Sequence, residues 1–290
     1  MSPEAVSRRP PQPLCEPGEM RITALHTYPV KGCHRLDHDE ARVEPHGLAG
    51  DRRWMVVDAD GVGITQRDTA RLTQLTARPR PGGLQLSAPG LPGLDLDEPA
   101  DGLKIAVRVF KSKTPVPARV AESEWISGFL GRDARLVWQS DPTTRAVDTD
   151  FGEPGDRVSL ADGYPVLLGN TASLDALNGW LAEAGDAPVP IHRFRPNIEV
   201  SDAPAWAEDA WLGSRIRIGD VTFRVAKPCD RCRVTTIDQE TGETGRQPLK
   251  ILGKHRRSGN GLMFAVNIIP DLAAGEIALV RVGDSLTVLD

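Results

Sequence analysis

Cysteine is scarce in this chain. Cys15, Cys33, Cys229 and Cys232 are the four among 290 residues, too few for a disulfide scaffold. Long apolar runs are missing as well. No stretch approaches the roughly 18 consecutive apolar residues that span a membrane, and the start, Met1 to Pro13, has no apolar signal-peptide core. Arg8-Arg9 runs straight into Pro10-Pro11, a poor twin-arginine export signal. A cytoplasmic, reducing setting without a membrane span is therefore expected. Charge of one sign is also lacking: 40 acidic against 35 basic residues leave a net −5. That gives no footprint for nucleic-acid binding but leaves room for a local basic pocket. None of the six histidines forms a metal-spaced pair, and there are no internal repeats.

What is present is ordinary for a globular protein, with 40% hydrophobic and 26% charged residues, which excludes wholesale disorder. At roughly 150 residues per domain, the length suggests about two domains. Residues 1–19 are proline-rich and nearly devoid of apolar side chains, so a disordered tail is expected there. The alternation in Arg21–Tyr28, with Ile22, Ala24 and His26 on one face, predicts a strand. Strands are likewise predicted at Trp54–Asp58, Leu94–Asp97, Ile105–Phe110 and Leu136–Trp138, with a helical pattern over Ala121–Leu130. A polar break at 139–155 marks the expected linker between a unit at 20–138 and one at 156–290. After it come the apolar run Tyr164–Leu168 and a helix over Ala172–Ala184, whose Leu174, Leu177, Trp180 and Leu181 share a face. Asn170 or Thr171 would cap that helix. A hairpin at Ile216–Val225 and strands at Phe264–Ile269 and Ser285–Leu289 complete a mainly β, α+β chain.

The hairpin leads into Cys229-Asp-Arg-Cys232. A C-x-x-C pair has several readings. Zinc would need a second pair of ligands, which the sequence does not offer. A thioredoxin-like dithiol would start a helix, whereas the β-branched Val234-Thr-Thr-Ile237 predicts a strand. Two buried structural thiols remain open. So does one thiolate acting as a soft ligand or nucleophile, with Lys227, Arg231 and Arg233 as nearby cations; a soft thiolate suits a soft, redox-active metal.

The segment Cys229-Asp-Arg-Cys232-Arg-Val-Thr-Thr-Ile-Asp238, followed by Thr241-Gly242, resembles the signature of MOSC-domain proteins (the molybdenum cofactor sulfurase C-terminal domain family), especially the amidoxime-reducing group and its bacterial relatives. Tyr28-Pro-Val-Lys31 with Gly50-Asp-Arg52-Arg-Trp54, Arg193-Phe-Arg195-Pro-Asn197 and Val282-Gly-Asp284 agree in the same order. The resemblance covers about 20–290. It implies an N-terminal β-barrel-like domain and a β-barrel MOSC domain. It also implies a molybdenum cofactor, a pyranopterin dithiolene giving two sulfurs to the metal, with Cys232 as catalytic residue and protein ligand; Cys229 is not carried over as a ligand. Lys31, Arg52, Arg195 and Asn197 are the implied cofactor donors, because the anionic phosphate calls for forked and point-charge donors. Gly32 stands where relatives often have serine, so one hydroxyl contact to the cofactor is expected to be lost or replaced by a backbone N–H.

Thr171 and Ser173 lie at the predicted helix start, which favours an anion, although either residue equally serves as a cap. Asp209 and Asp238 are divided between site and turn roles, Glu208 sits beside Asp209, and His255 lies in a basic loop expected near the pocket mouth. The resemblance implies an oxidoreductase that reduces N-hydroxylated compounds such as amidoximes, hydroxylamines and N-hydroxylated bases. With no flavin or iron–sulfur signature and the chain ending at Asp290, electrons are expected from a separate ferredoxin-, cytochrome b5- or flavin-reductase-like donor. The alternative is a sulfur or cofactor carrier, with Cys232 as a persulfide or transient ligand.

Overall fold

The computed structural model describes residues 18–109, 112 and 114–289. Most of the expected tail, Cys15 and Phe110 lie outside the described residues.

Among the described residues strands dominate, with three α-helices: α1 (Glu124–Leu130), α2 (Thr171–Glu183) and α3 (Leu249–His255). The largest sheet has nine strands. In spatial order it runs Leu286–Leu289, Arg215–Ile218, Val221–Asp230, Gly261–Pro270, Val166–Asn170, Ile198–Ser201, Arg21–Thr27 and Leu36–His38, with Arg257–Ser258 paired off the fourth. A five-stranded sheet orders Lys104–Val107, Val116–Glu122, Arg135–Trp138, Trp54–Val57 and Val30–Lys31. Two three-stranded sheets complete the set. Pairing is mixed: Val166–Asn170 runs parallel to Ile198–Ser201, and Val30–Lys31 parallel to Trp54–Val57. Each sheet is an open path of strands, not the closed ring that a barrel implies.

The chain's two halves interleave. Arg21–Thr27 pairs antiparallel with Ile198–Ser201, and Glu40–Glu44 with Ala278–Arg281. Arg21–Thr27 and Leu36–His38 therefore belong to a sheet built mainly from the later half, while Ala278–Arg281 joins Glu40–Glu44 and Gly47–Leu48 of the first. The main core joins Ile22, Leu25, Ile198, Val200, Ile216, Phe223, Val266 and Ile268. A second gathers Val30, Trp54, Val56, Ile126, Phe129 and Leu136. Leu177 and Leu181 of α2 are fully buried against Ile251 and Leu252 of α3, each such side chain contributing about 1.5–3 kcal/mol.

Two local expectations are corrected. A register shift between Ile22 and Ala24 breaks the simple alternation of the first strand, so Leu25, not Ala24, joins Ile22 in the core; a bulge re-aims the side chains that follow it. Val234–Ile237 is not a strand: Arg233–Thr236 forms one turn of 3₁₀ helix. The Thr235 N–H and hydroxyl both donate to the Cys232 carbonyl, at 3.1 and 3.0 Å, and the Thr236 hydroxyl donates to the Arg233 carbonyl at 2.8 Å. Such local side-chain bonds satisfy the backbone without a partner strand and override β propensity.

Candidate functional site

A cavity of about 340 Å³ opens where the two halves meet. Lys31, Gly32, Arg52, Arg195, Asn197 and Cys232 all line it. These residues come from four separated segments.

Tyr28 organises the basic wall. Its ring is fully buried, with the Arg52 guanidinium 4.3 Å and that of Arg195 4.1 Å from its centroid. The ring's negative face favours both cations, and its hydroxyl donates to the Pro196 carbonyl at 3.0 Å. Burial pushes that hydroxyl up to about 12, against the pull of Arg195 and Arg52, so it stays a neutral donor. Arg52 Nη1 donates to Asp51 at 2.5 Å and to Asn197 Oδ1 at 2.9 Å. The same Asn197 oxygen accepts from the Leu167 N–H at 3.2 Å, while Asn197 Nδ2 donates to the His26 carbonyl at 3.1 Å. Asn197 thus ties the central strands to the arginine.

Both arginines adopt left-handed backbone, with φ of 47° at Arg52 and 58° at Arg195. This is an uncommon conformation for a non-glycine residue, and such residues cluster at ligand sites. Arg195 is buried, and burial lowers it to about 10. Its Nη1 donates to Gln239 Oε1 at 2.9 Å, while its buried Nη2 has no hydrogen-bond partner. An orphaned guanidinium donor beside a cavity is what an anionic group would satisfy.

Lys31 is buried and donates to Asp162. Desolvation lowers the lysine to about 8 despite that partner. Burial works to raise the Asp162 carboxyl, but Lys31, Arg67 and Arg52 outweigh it and hold it below the usual carboxylate range. Arg145 fixes the Asp162 segment, donating to the Ser159 and Asp162 carbonyls at 2.6 and 2.9 Å. Gly32, at φ 80°, presents its carbonyl to Gln66 Nε2 at 2.7 Å. Gln66 in turn bonds Gln239, which joins the Lys31 and Arg195 segments through one pair of amides.

The thiol wall faces them. Cys229 and Cys232 are both half-buried, free and lining the cavity. Arg67 Nη2 lies 3.0 Å from Cys232 Sγ and 3.6 Å from Asp162. Arg231 Nη1 lies 2.8 Å from Cys229 Sγ, and its Nη2 donates to the Phe194 carbonyl at 2.5 Å. Among the described residues no group of three His, Cys, Asp or Glu side chains is placed to hold a metal ion, so a metal at Cys232 would need ligands from a cofactor. One soft sulfur, an unsatisfied buried arginine donor and a set of cations together fit a soft metal carried on an anionic organic group.

Five sequence-predicted residues, Thr171, Ser173, Asp209, Asp238 and His255, lie away from the cavity lining. Thr171 donates to the Val200 carbonyl at 3.2 Å. The Ser173 hydroxyl lies 2.8 and 2.9 Å from the two oxygens of buried Glu208. Asn170 caps α2 by accepting from the Ala172 N–H and donates to Glu208 at 2.9 Å. The α2 start therefore already holds an anion from its own chain, and burial raises that Glu208 carboxyl even though Asn170 and Ser173 oppose the shift. Asp209 pairs with Arg256 at 2.6 Å. Asp238 accepts from the Glu240 and Thr241 N–H groups and from Arg193 at 3.0 Å, which makes it a turn residue. His255 ends α3 and stacks on Trp180, with ring centroids 4.3 Å apart; it is not in a loop at the pocket mouth.

Arg67, Asp162 and Gln66 were missed. Gln66 and Arg67 sit among polar neighbours and Asp162 follows Leu160-Ala161 in no recognisable motif, and only folding brings them to Cys232 and Lys31. Among the described residues no helix is long and apolar enough to cross a membrane.

Comparison with known proteins identifies a family. The MOSC N-terminal beta barrel domain family matches residues 19–133, and the MOSC domain family matches 155–287. "Mitochondrial amidoxime-reducing component 1" of Danio rerio is 33% identical over 81% of this chain and 74% of its own length. The protein of the same name from Mus musculus is 30% identical over 81% of this chain and 71% of its own. "Molybdenum cofactor sulfurase" of Danio rerio is 30% identical over 91% of this chain but only 34% of its own. The chain therefore belongs to the MOSC family, as a MOSC N-terminal domain followed by a MOSC domain.

Proposed function

We propose that the protein is a molybdenum-cofactor-dependent oxidoreductase that reduces N-hydroxylated compounds with electrons from a separate donor protein. The observation that carries this reading is the placement of Cys232 Sγ in the same cavity as Arg195, whose buried Nη2 lacks a partner. When bound, the cofactor would supply two-electron redox chemistry at molybdenum, with Cys232 as the protein's sulfur ligand. Reduction of an amidoxime consumes two electrons and two protons, breaks the N–O bond and releases water.

The chain's own residues bind and orient. Lys31, Arg52, Arg195 and Asn197 would hold the anionic end of the cofactor, with Arg195 and Arg52 fixed on Tyr28. Arg67 Nη2 lies 3.0 Å from the Cys232 sulfur, a contact that would orient it within the cavity. The protein contributes binding, orientation and electrostatics to chemistry that belongs to the cofactor.

Loading the purified chain with cofactor and supplying reduced viologen and benzamidoxime tests the reading. About one molybdenum per chain with benzamidine as product is expected. Metal-loaded protein that leaves amidoximes, hydroxylamines and N-hydroxylated bases unreduced would contradict it.

The sulfurase relative favours a second reading, in which Cys232 carries a persulfide or holds the cofactor in transit. Labile sulfane sulfur on Cys232, with no stably bound molybdenum, would select it.

A further inference from the structure

One cation of the cavity plays no part in the site described above. Lys227 lines the cavity from the strand Val221–Asp230. The register of that strand shifts between Val225 and Lys227 and again between Pro228 and Asp230, and irregularities of this kind re-aim side chains. The other cations each have a partner: Lys31 has Asp162, Arg52 has Asp51, Arg195 has Gln239, and Arg231 has Cys229 and the Phe194 carbonyl, while Arg67 lies against Cys232. Lys227, among the described residues, has no carboxylate at ion-pair distance. Its Nζ rests instead 4.9 Å from the Phe151 ring centroid and 5.7 Å from that of Tyr164. These contacts hold the ammonium group in place without neutralising it.

Phe151 is 49% exposed, so this cation stands where the cavity meets solvent. Tyr164 also lines the cavity. Burial raises its hydroxyl to about 12, with Asp148 and Asp150 adding to the effect, so it remains a neutral hydrogen-bond donor. The two carboxylates in the lining are engaged elsewhere: Asp162 with Lys31, and Asp230 with the Leu262 N–H at 2.9 Å.

We propose that Lys227, steadied by Tyr164 and Phe151, forms a substrate-side subsite for an anionic substituent, so that the protein prefers N-hydroxylated compounds bearing a carboxylate. This rests on the reductase reading given above. A phosphate of the cofactor itself shares the same chemistry, and the test separates the two sources.

The probes are benzamidoxime, neutral near pH 7, and 4-carboxybenzamidoxime. Their affinities are measured calorimetrically on cofactor-loaded protein without reductant, and their reduction is then followed with reduced viologen. Wild type is expected to bind the carboxylated compound about tenfold more tightly, as for one partly buried charge-assisted contact. The preference should shrink as salt is raised. Lys227→Met should erase the preference in binding and in KM while leaving kcat, benzamidoxime affinity and molybdenum content unchanged; Lys227→Arg should retain it. Equal binding of the two compounds by wild type would overturn the proposal, as would loss of molybdenum or pterin from Lys227→Met, which would assign the lysine to the cofactor. A binding preference that persists while neither compound is reduced would contradict the reductase reading and leave the anion subsite standing.

Discussion

Lys31 and Arg195 are the residues whose environments make the sharpest demands. Lys31 is desolvated enough to titrate near pH 8. Its charge is present below that value and lost above it, so retention of an anionic cofactor should weaken as pH rises through about 8. Dialysis of loaded protein at stepped pH, with molybdenum counted at each step, checks this. Lys31→Met should lower retention at pH 7 and remove the dependence on pH. Arg195 offers a planar fork with one donor spare. Lysine in its place keeps the charge but loses the fork, so Arg195→Lys should weaken cofactor binding by about tenfold, equivalent to roughly 1.4 kcal/mol. Competition between variant and wild type for a limiting supply of cofactor measures it. Short motifs singled out Lys31, Arg52, Arg195 and Asn197, and the fold brings all four to one cavity, but the stacking on Tyr28 that fixes both arginines was not legible, because a motif does not report which side chains its aromatic will meet.

At the scale of elements, the start of α2 shows how a correct helix can mislead about a site. The capping pattern at Asn170 to Ser173 located the helix within a residue of its observed start. A helix N-terminus attracts an anion, yet the anion here is Glu208, contributed by the turn Ala207–Trp211. Nothing local distinguishes Glu208 from Asp209, and only folding buries the first and leaves the second against Arg256. Glu208→Ala should leave one Asn170 Nδ2 hydrogen and the Ser173 hydroxyl proton without their acceptor, although Asn170 keeps the Pro204 carbonyl and Ser173 the Trp206 N–H, and should lower stability by about 1–3 kcal/mol, read as a fall in the urea midpoint. Glu208→Gln keeps an acceptor and should cost less. The 3₁₀ turn after Cys232 makes a related point: four β-branched residues looked like a strand, but threonine hydroxyls turned back onto the backbone and hold the Cys232 carbonyl.

Across the whole molecule, the sequence suggested two units in series, and their strands could be placed with fair accuracy from alternation and turns. The interleaving was hidden, because no local pattern reports that Arg21–Thr27 pairs with a strand 170 residues away. The consequence is cooperative. The Gln66–Gln239 amide pair, the Lys31–Asp162 bond and the sheet shared by both halves should make unfolding a single transition. Tryptophan fluorescence and far-ultraviolet circular dichroism should therefore give coincident denaturant curves. A clear lag between them would show two independent units.

Cys232 as the protein's sulfur ligand to molybdenum is decided by X-ray absorption at the molybdenum K-edge. Wild type should show three sulfur scatterers, two from the dithiolene and one from Cys232, and Cys232→Ala should show two, with turnover abolished. An unchanged sulfur count in Cys232→Ala, or one that falls only in Cys229→Ala, would contradict the claim.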